Sequence, residues 1–238
     1  MKKITLALLV AVLTAGSAMA QLSFGLRAGI NQSDIFTGGD KPYDNQAIFK
    51  KFGFQIGGVA EYAIDDNWSI QPSVILTTQG SRLRVNTGEQ LIALLPITKA
   101  KIKGKSSVSL TYIQIPVNVQ YKIGDLMGGG MWIKTGPYFG YAIGGKLKYD
   151  MTITYSGYGS SKPYTESEKY EKELTFGNGA DYNYKQTDFG WYIGIDAGDN
   201  KSRLGVGINF GLKNISNVST ARNFCIPVTF TYMFGKKE

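Results

Sequence analysis

From residue 22 to residue 234, apolar and polar positions alternate with a period of two in run after run, the mark of strands with unlike faces. The last run, residues 223–234, is the most regular. Phe224, Ile226, Val228, Phe230, Tyr232 and Phe234 share one parity, with Asn223, Cys225, Pro227, Thr229, Thr231 and Met233 on the other. Four residues follow it. A last strand of this kind is expected to pair with the first, so that no edge remains, as in an outer-membrane barrel.

The first run, residues 22–31, sets Leu22, Phe24, Leu26, Ala28 and Ile30 against Ser23, Gly25, Arg27, Gly29 and Asn31, and a polar stretch, 32–51, is expected to end it. A second strand, 52–64, carries Phe52, Phe54, Ile56, Ala60, Tyr62 and Ile64 on its apolar face. Asp65, Asp66 and Asn67 are turn formers. A third strand follows with Trp68, Ile70, Val74 and Leu76 opposite Ser69, Gln71, Ser73, Thr77 and Gln79, before a long second loop at about 81–107. In the fourth, Ile113, Ile115, Val117, Val119 and Tyr121 alternate with Gln114, Pro116, Asn118, Gln120 and Lys122. After a glycine-rich turn at 124–130, Ile133, Phe139, Tyr141 and Ile143 face away from Trp132, Lys134, Gly136, Tyr138 and Gly140. That alternation runs on through Leu147, Tyr149, Met151, Ile153 and Tyr155, which predicts a strand projecting beyond a bilayer. A third loop, 156–185, precedes a sixth strand with Phe189, Trp191, Ile193 and Ile195 outward, and a turn at Asp199, Asn200 and Lys201 leads to a seventh with Leu204, Val206, Ile208 and Phe210. A fourth loop, 214–222, leads to the last strand.

The pattern predicts an all-β fold, a small up-and-down transmembrane β-barrel of about eight antiparallel strands, with long connections outside and short turns toward the periplasm. The competing fold is a soluble lipocalin-like barrel with the apolar parity inward. Against it, the apolar parity is too bulky for a narrow interior, while glycines 25, 29, 53, 57, 136, 140, 190, 194, 205, 207 and 211 crowd the opposite one. Pro72, Pro116, Pro137 and Pro227 fall inside strands and predict bulges or local irregularities.

Residues 1–20 have the form of a signal peptide: basic Lys2 and Lys3, an apolar stretch from Ile4 to Ala15, and Ala18-Met19-Ala20 as cleavage site. Cleavage after Ala20 would leave one barrel domain, 21–238, and lower the net charge from +8 to +6. The positive charges are not clustered as a nucleic-acid face requires. Cys225 is the only cysteine, which excludes an internal disulfide.

The segments LSFGLRAGINQS, FGFQIGGVAEY, WSIQPSVILTTQG, YIQIPVNVQY, TGPYFGY, DFGWYIGIDAG and the closing TYMF, in that order, resemble the PorT-like outer-membrane β-barrel family common in the Gram-negative Bacteroidetes. The likeness covers nearly all of the chain after residue 20 and includes the in-strand prolines. Ser73 departs from the acidic residue the family would place there. The resemblance implies fold and location, and for a few members a tie to protein secretion.

The chain has no histidine, which removes the usual general base, Ser-His and Cys-His arrangements, and the usual zinc sites. Inward carboxylates Glu61, Asp188 and Asp196 share their parity with Arg27, Lys134 and Arg203, so a lumen charge network is expected in place of acid–base chemistry. No cofactor, metal or catalytic set is expected. The loops carry the candidate contacts: Lys99, Lys101, Lys103 and Lys105 for lipopolysaccharide phosphates, and Tyr158, Tyr164 and Tyr170 for protein recognition. Packing of each loop on itself is the competing reading. The expected partners are outer-membrane lipid and an envelope or host protein, for a monomeric, non-enzymatic barrel. A secretion component and a small-solute channel are the alternatives.

Overall fold

The computed structural model describes residues 21–38, 46–86, 90–91, 98–126, 128–157, 163–177, 179 and 183–234. Residues 1–20, expected to be a signal peptide, and Tyr158 lie outside them. The described residues form ten strands: β1 (Leu22–Gly38), β2 (Gln46–Ala63), β3 (Trp68–Asn86), β4 (Gln90–Leu91), β5 (Thr98–Leu126), β6 (Gly129–Gly157), β7 (Tyr164–Glu173), β8 (Thr187–Gly198), β9 (Ser202–Gly211) and β10 (Thr220–Phe234). Eight of them close a ring in the order β5-β3-β2-β1-β10-β9-β8-β6, with β6 returning to β5. Closure is made by the last strand on the first, from Phe24 opposite Phe234 to Gly38 opposite Thr220. The expected all-β antiparallel barrel of about eight strands is therefore what the chain forms.

The two parities separate as the alternation demands. Leu204, Ile193, Ile208 and Val117 stand exposed on the outer wall, whereas Arg203 and Lys134 are 1% exposed. An apolar outside around a polar inside is stable only with lipid as the outer solvent. The inward glycines make room for inward rings. A Cβ on Gly207 would stand 2.5 Å from a Tyr192 ring carbon, and one on Gly190 equally close to the Tyr138 ring. At the short-turn end, Asp65 Oδ1 accepts from the Asn67 and Trp68 amides at 2.8 and 2.7 Å, and Asp199 Oδ1 accepts from the Lys201 amide at 2.6 Å.

Three expectations are corrected. First, the strands outrun the belt. β1 continues to Gly38 and β2 begins at Gln46, so the stretch 32–51 does not end a strand, and residues 81–107 are largely β3 and β5 paired up to Asn86 opposite Lys103. The third loop likewise contains β7, which pairs with the far half of β6. Second, the prolines do not shift register. Pairing of β5 with β6 keeps one register from Pro116 opposite Tyr138 to Val119 opposite Thr135, and Pro137 sits in register opposite Trp191. Pro72, Val117, Pro137 and Trp191 form one outward row. Each proline leaves a donor out of the ladder while its neighbours hold the register. The irregularities fall elsewhere, at Lys50/Gln55, Thr111/Tyr112 and Lys122/Gly124.

Third, Ile143 is the extra residue opposite Thr111 and Tyr112, and it exchanges the faces of β6. Beyond it, Leu147 packs inward instead of continuing the lipid face. There Ile35, Leu110, Tyr112, Ala142, Leu174, Ile215 and Ala221 form an apolar cluster, joined by Val108, Leu147, Phe176 and Tyr184. The cluster draws on wall strands and on the connections after β7 and β9, so it caps the interior at the long-connection end.

Candidate functional site

Two groups of polar side chains lie outside ordinary strand packing: one inside the ring, one on the sheet that projects from it. Inside, Glu61 is the hub. Arg203 grips its carboxylate with both terminal nitrogens, at 2.8 and 3.4 Å. Gln71 and Gln120 each donate to Glu61 Oε2 at 3.1 Å. The Gln71 carbonyl accepts from Arg27 and, at 3.1 Å, from Lys134, which also pairs with Asp196. Arg27 Nε reaches Thr231 Oγ1 at 3.0 Å, and the Arg203 guanidinium lies 3.9 Å from the Trp132 ring centroid.

Five of the six charges expected in the lumen thus meet in one network. Asp188 does not join it. Its Oδ2 accepts from Tyr138 at 3.2 Å and Asn223 at 2.9 Å, and Asn223 also donates to the Tyr112 hydroxyl at 3.2 Å, beneath the apolar cap. Between the two clusters the interior retains a cavity of about 30 Å³, beside Arg27, Gln114, Tyr192 and Thr229. That is room for one or two waters. The opposite charges are in mutual contact, and at the short-turn end a mouth of about 230 Å³, lined by Glu61, Trp132 and Arg203 among others, opens onto them. Among the described residues no group of histidine, cysteine or acidic side chains could hold a metal ion.

Outside the belt, β3, β5, β6 and β7 continue as a projecting sheet. Cross-strand partners share a face, and the register makes two adjacent rows: Arg82, Ser107, Lys148 and Glu171, then Arg84, Lys105, Asp150 and Lys169. Pairing of β3 with β5 keeps one register from Ile75 to Asn86, so Arg82 and Arg84 share the face of Val74, the lipid-facing one. The two rows wall a groove of about 460 Å³, with Leu83, Ser106, Tyr149 and Tyr170 between them. Five cations line it against two carboxylates. Glu171 bonds Lys148 at 2.9 Å and Lys146 at 3.4 Å, and Lys169 lies 3.9 Å from Asp150. The hydrogen bond from Lys148, backed by Lys146, holds the Glu171 carboxyl below the ordinary glutamate value. At the foot of the sheet Lys51 donates to the Val108 carbonyl at 3.3 Å, with Arg82 and Lys148 as charged neighbours.

The predicted loop contacts are therefore strand residues on opposite faces. Lys99, Lys101, Lys103 and Lys105 fall on the outward face of β5 and are exposed, and only Lys105 lines the groove. Tyr164 and Tyr170 fall on the other face, opposite Tyr155 and Tyr149; the Tyr155 and Tyr164 rings stack at 6.3 Å. Arg82, Arg84, Lys148 and Lys169 were not singled out from the sequence. The signal that finds them is parity, carried past the last apolar position and reversed at Ile143.

The description "outer membrane protein beta-barrel domain" is that of the family model matching residues 15–217. No curated protein matches the chain. Similar solved structures include the attachment invasion locus protein Ail of Yersinia pestis, crystallised with the heparin analogue sucrose octasulfate: 12% identity, 90% of this chain and 99% of that one, TM-score 0.38. Neisserial surface protein A shares 13% identity over 89% of this chain and 97% of that one, with a TM-score of 0.33. OprG of Pseudomonas aeruginosa shares 12% over 90% and 95%, with a TM-score of 0.29.

Proposed function

We propose, since the chain belongs to the outer membrane protein beta-barrel domain family, that it is a non-enzymatic, closed barrel that anchors a projecting recognition sheet in the outer membrane. The observation that carries this reading is the pairing of a filled interior with strands running far past the belt. β5 and β6 are each 29 residues long, whereas about ten suffice to cross the hydrocarbon when tilted. The excess is built as an ordered sheet that offers lysines and arginines on one face and tyrosines on the other.

The sheet would engage lipopolysaccharide, a host surface or an envelope protein. The hairpin of β6 and β7 tests this. Because Lys148 and Glu171 are already cross-strand partners, replacing residues 149–170 by Asn-Gly leaves a two-residue turn that keeps Leu147 and Leu174 in the cap. Cross-linking pull-downs from intact cells should lose the captured partner with this variant, while heat-modifiable gel mobility stays that of a folded barrel. Unchanged capture would remove the hairpin from the account. The PorT-like resemblance makes a secretion component the alternative, and capture of secretion-machine proteins through the hairpin would decide for it.

Residues 1–20 are proposed to be removed during export, with Gln21 as the mature N-terminus and the barrel recovered in the outer-membrane fraction. N-terminal sequencing that finds Met1 on the outer-membrane protein would refute the cleavage.

A further inference from the structure

We propose that the groove between the two charged rows binds a phosphorylated sugar headgroup of an outer-leaflet glycolipid, an inference that rests on the recognition-sheet reading and assigns a ligand class to its outward face. Three observations converge on it. The first is charge: Arg82, Arg84, Lys105, Lys148 and Lys169 against Asp150 and Glu171 give the lining a net charge of +3. Glu171 is held by Lys148 and Asp150 lies beside Lys169, and the lining as a whole keeps its positive excess. An anion with several oxygens would answer it, and two of the five cations are guanidinium groups suited to bidentate phosphate contact.

The second is position. The groove lies on the same face as the lipid-facing wall, not on its lumen side, so a molecule in the outer leaflet reaches it without leaving the membrane. Leu76, Ile113 and Tyr141 form the last complete apolar row; Thr78 and Thr111 follow, and Arg82 lies four residues beyond Thr78. At about 3.4 Å per residue and a tilt of about 45°, that is roughly 10 Å of height. A phospholipid headgroup layer spans only about 5–8 Å per leaflet. The groove thus stands above simple phospholipid phosphates and at the level of a larger, sugar-based headgroup.

The third is shape. A volume of about 460 Å³ is that of a ligand site. Its floor is the backbone of the row Leu83, Ser106, Tyr149 and Tyr170, whose side chains belong to the other face, and its walls are the aliphatic stems of arginines and lysines. This suits a sugar ring between phosphates better than a bare ion.

The test uses the full mature barrel in zwitterionic detergent, titrated with diphosphoryl lipid A, its dephosphorylated form, phosphatidylglycerol and inorganic phosphate, with bound lipid counted by native mass spectrometry. Diphosphoryl lipid A should be retained in preference to the other three. Arg82→Gln with Lys105→Gln should weaken its retention by roughly tenfold to thirtyfold, taking about 1 kcal/mol per surface charge. Lys99→Gln with Lys101→Gln removes the same charge from the same face outside the groove and should change retention far less. Equal retention of the dephosphorylated lipid, equal loss in the two double variants, or displacement by inorganic phosphate alone would each overturn the assignment. Gel mobility shows whether each variant is folded, and the conservative pair Arg82→Lys with Lys105→Arg should keep most of the binding if the double loss reflects charge. Failure of this proposal is separable from failure of the recognition-sheet reading, since hairpin-dependent capture of a protein partner is measured independently of any lipid.

Discussion

Replacing Glu61 with leucine is expected to destabilise the folded barrel by about 3–5 kcal/mol, the cost of leaving a buried charge without its partner. Glu61 is 3% exposed and takes hydrogen bonds from Arg203, Gln71 and Gln120, so its loss strands a guanidinium and two amides together. Glu61→Gln keeps an acceptor and should cost less. Adding Arg203→Met to Glu61→Leu removes the stranded charge and should recover a large part of the loss, because apolar replacement of a buried pair is often neutral. Urea titration of the folded, heat-modifiable band in lipid vesicles measures all three. A Glu61→Leu barrel as stable as the parent would show that the interior network is not what packs the ring.

Ile193→Arg, Val117→Arg or Ile208→Arg should each cost about 2–4 kcal/mol if those positions face the hydrocarbon midplane. Ile193 and Ile208 are direct cross-strand partners, both outward, so the two substitutions probe one spot on the wall from neighbouring strands. Thr229→Asn, inward and beside the small interior cavity, should cost much less. The same urea titration reads both sets, and equal tolerance would turn the barrel inside out. The contrast is large because no water exists at mid-depth to solvate an arginine on the outside, whereas the inside already holds amides and hydroxyls.

Much of this architecture is written in the alternation. Where one face meets lipid and the other a crowded interior, a one-residue slip would invert every side chain, so the pattern is strict and readable. Glycines opposite bulky residues, such as Gly190 and Gly207 beside Tyr138 and Tyr192, mark the inside for the same steric reason. The projecting sheet was harder to see because both of its faces meet water and its apolar contrast fades. Arg82-Leu83-Arg84-Val85 does alternate, yet between Ser81 and Asn86 it reads as a polar loop. Parity through a bulge was not readable at all. Nothing in Ala142-Ile143-Gly144 announces that Ile143 is extra, and from that residue onward Leu147 turns into the cap while Lys146 and Lys148 turn outward. The prolines misled in the opposite sense. Their missing donors predict bulges or local irregularities, but antiparallel neighbours on both sides hold the register across each gap.

The candidate site divides in the same way. Five of the six inward charges meet, because inward parity in a ring this narrow leaves them nowhere else to go. Asp188 is set apart by height along the barrel, which composition and parity do not encode. The groove depends on register between four strands of different lengths, which no single segment contains.

Planar-bilayer recording on the purified barrel tests the central claim, a closed ring that works through what it projects. The apolar cap at one end, the Glu61 network toward the other and a cavity of only about 30 Å³ between them predict no stable conducting steps. The variant with residues 149–170 replaced by Asn-Gly, its cap residues retained, should be equally silent. Stable single-channel steps in both proteins would contradict the account and make the barrel itself, not the sheet above it, the working part.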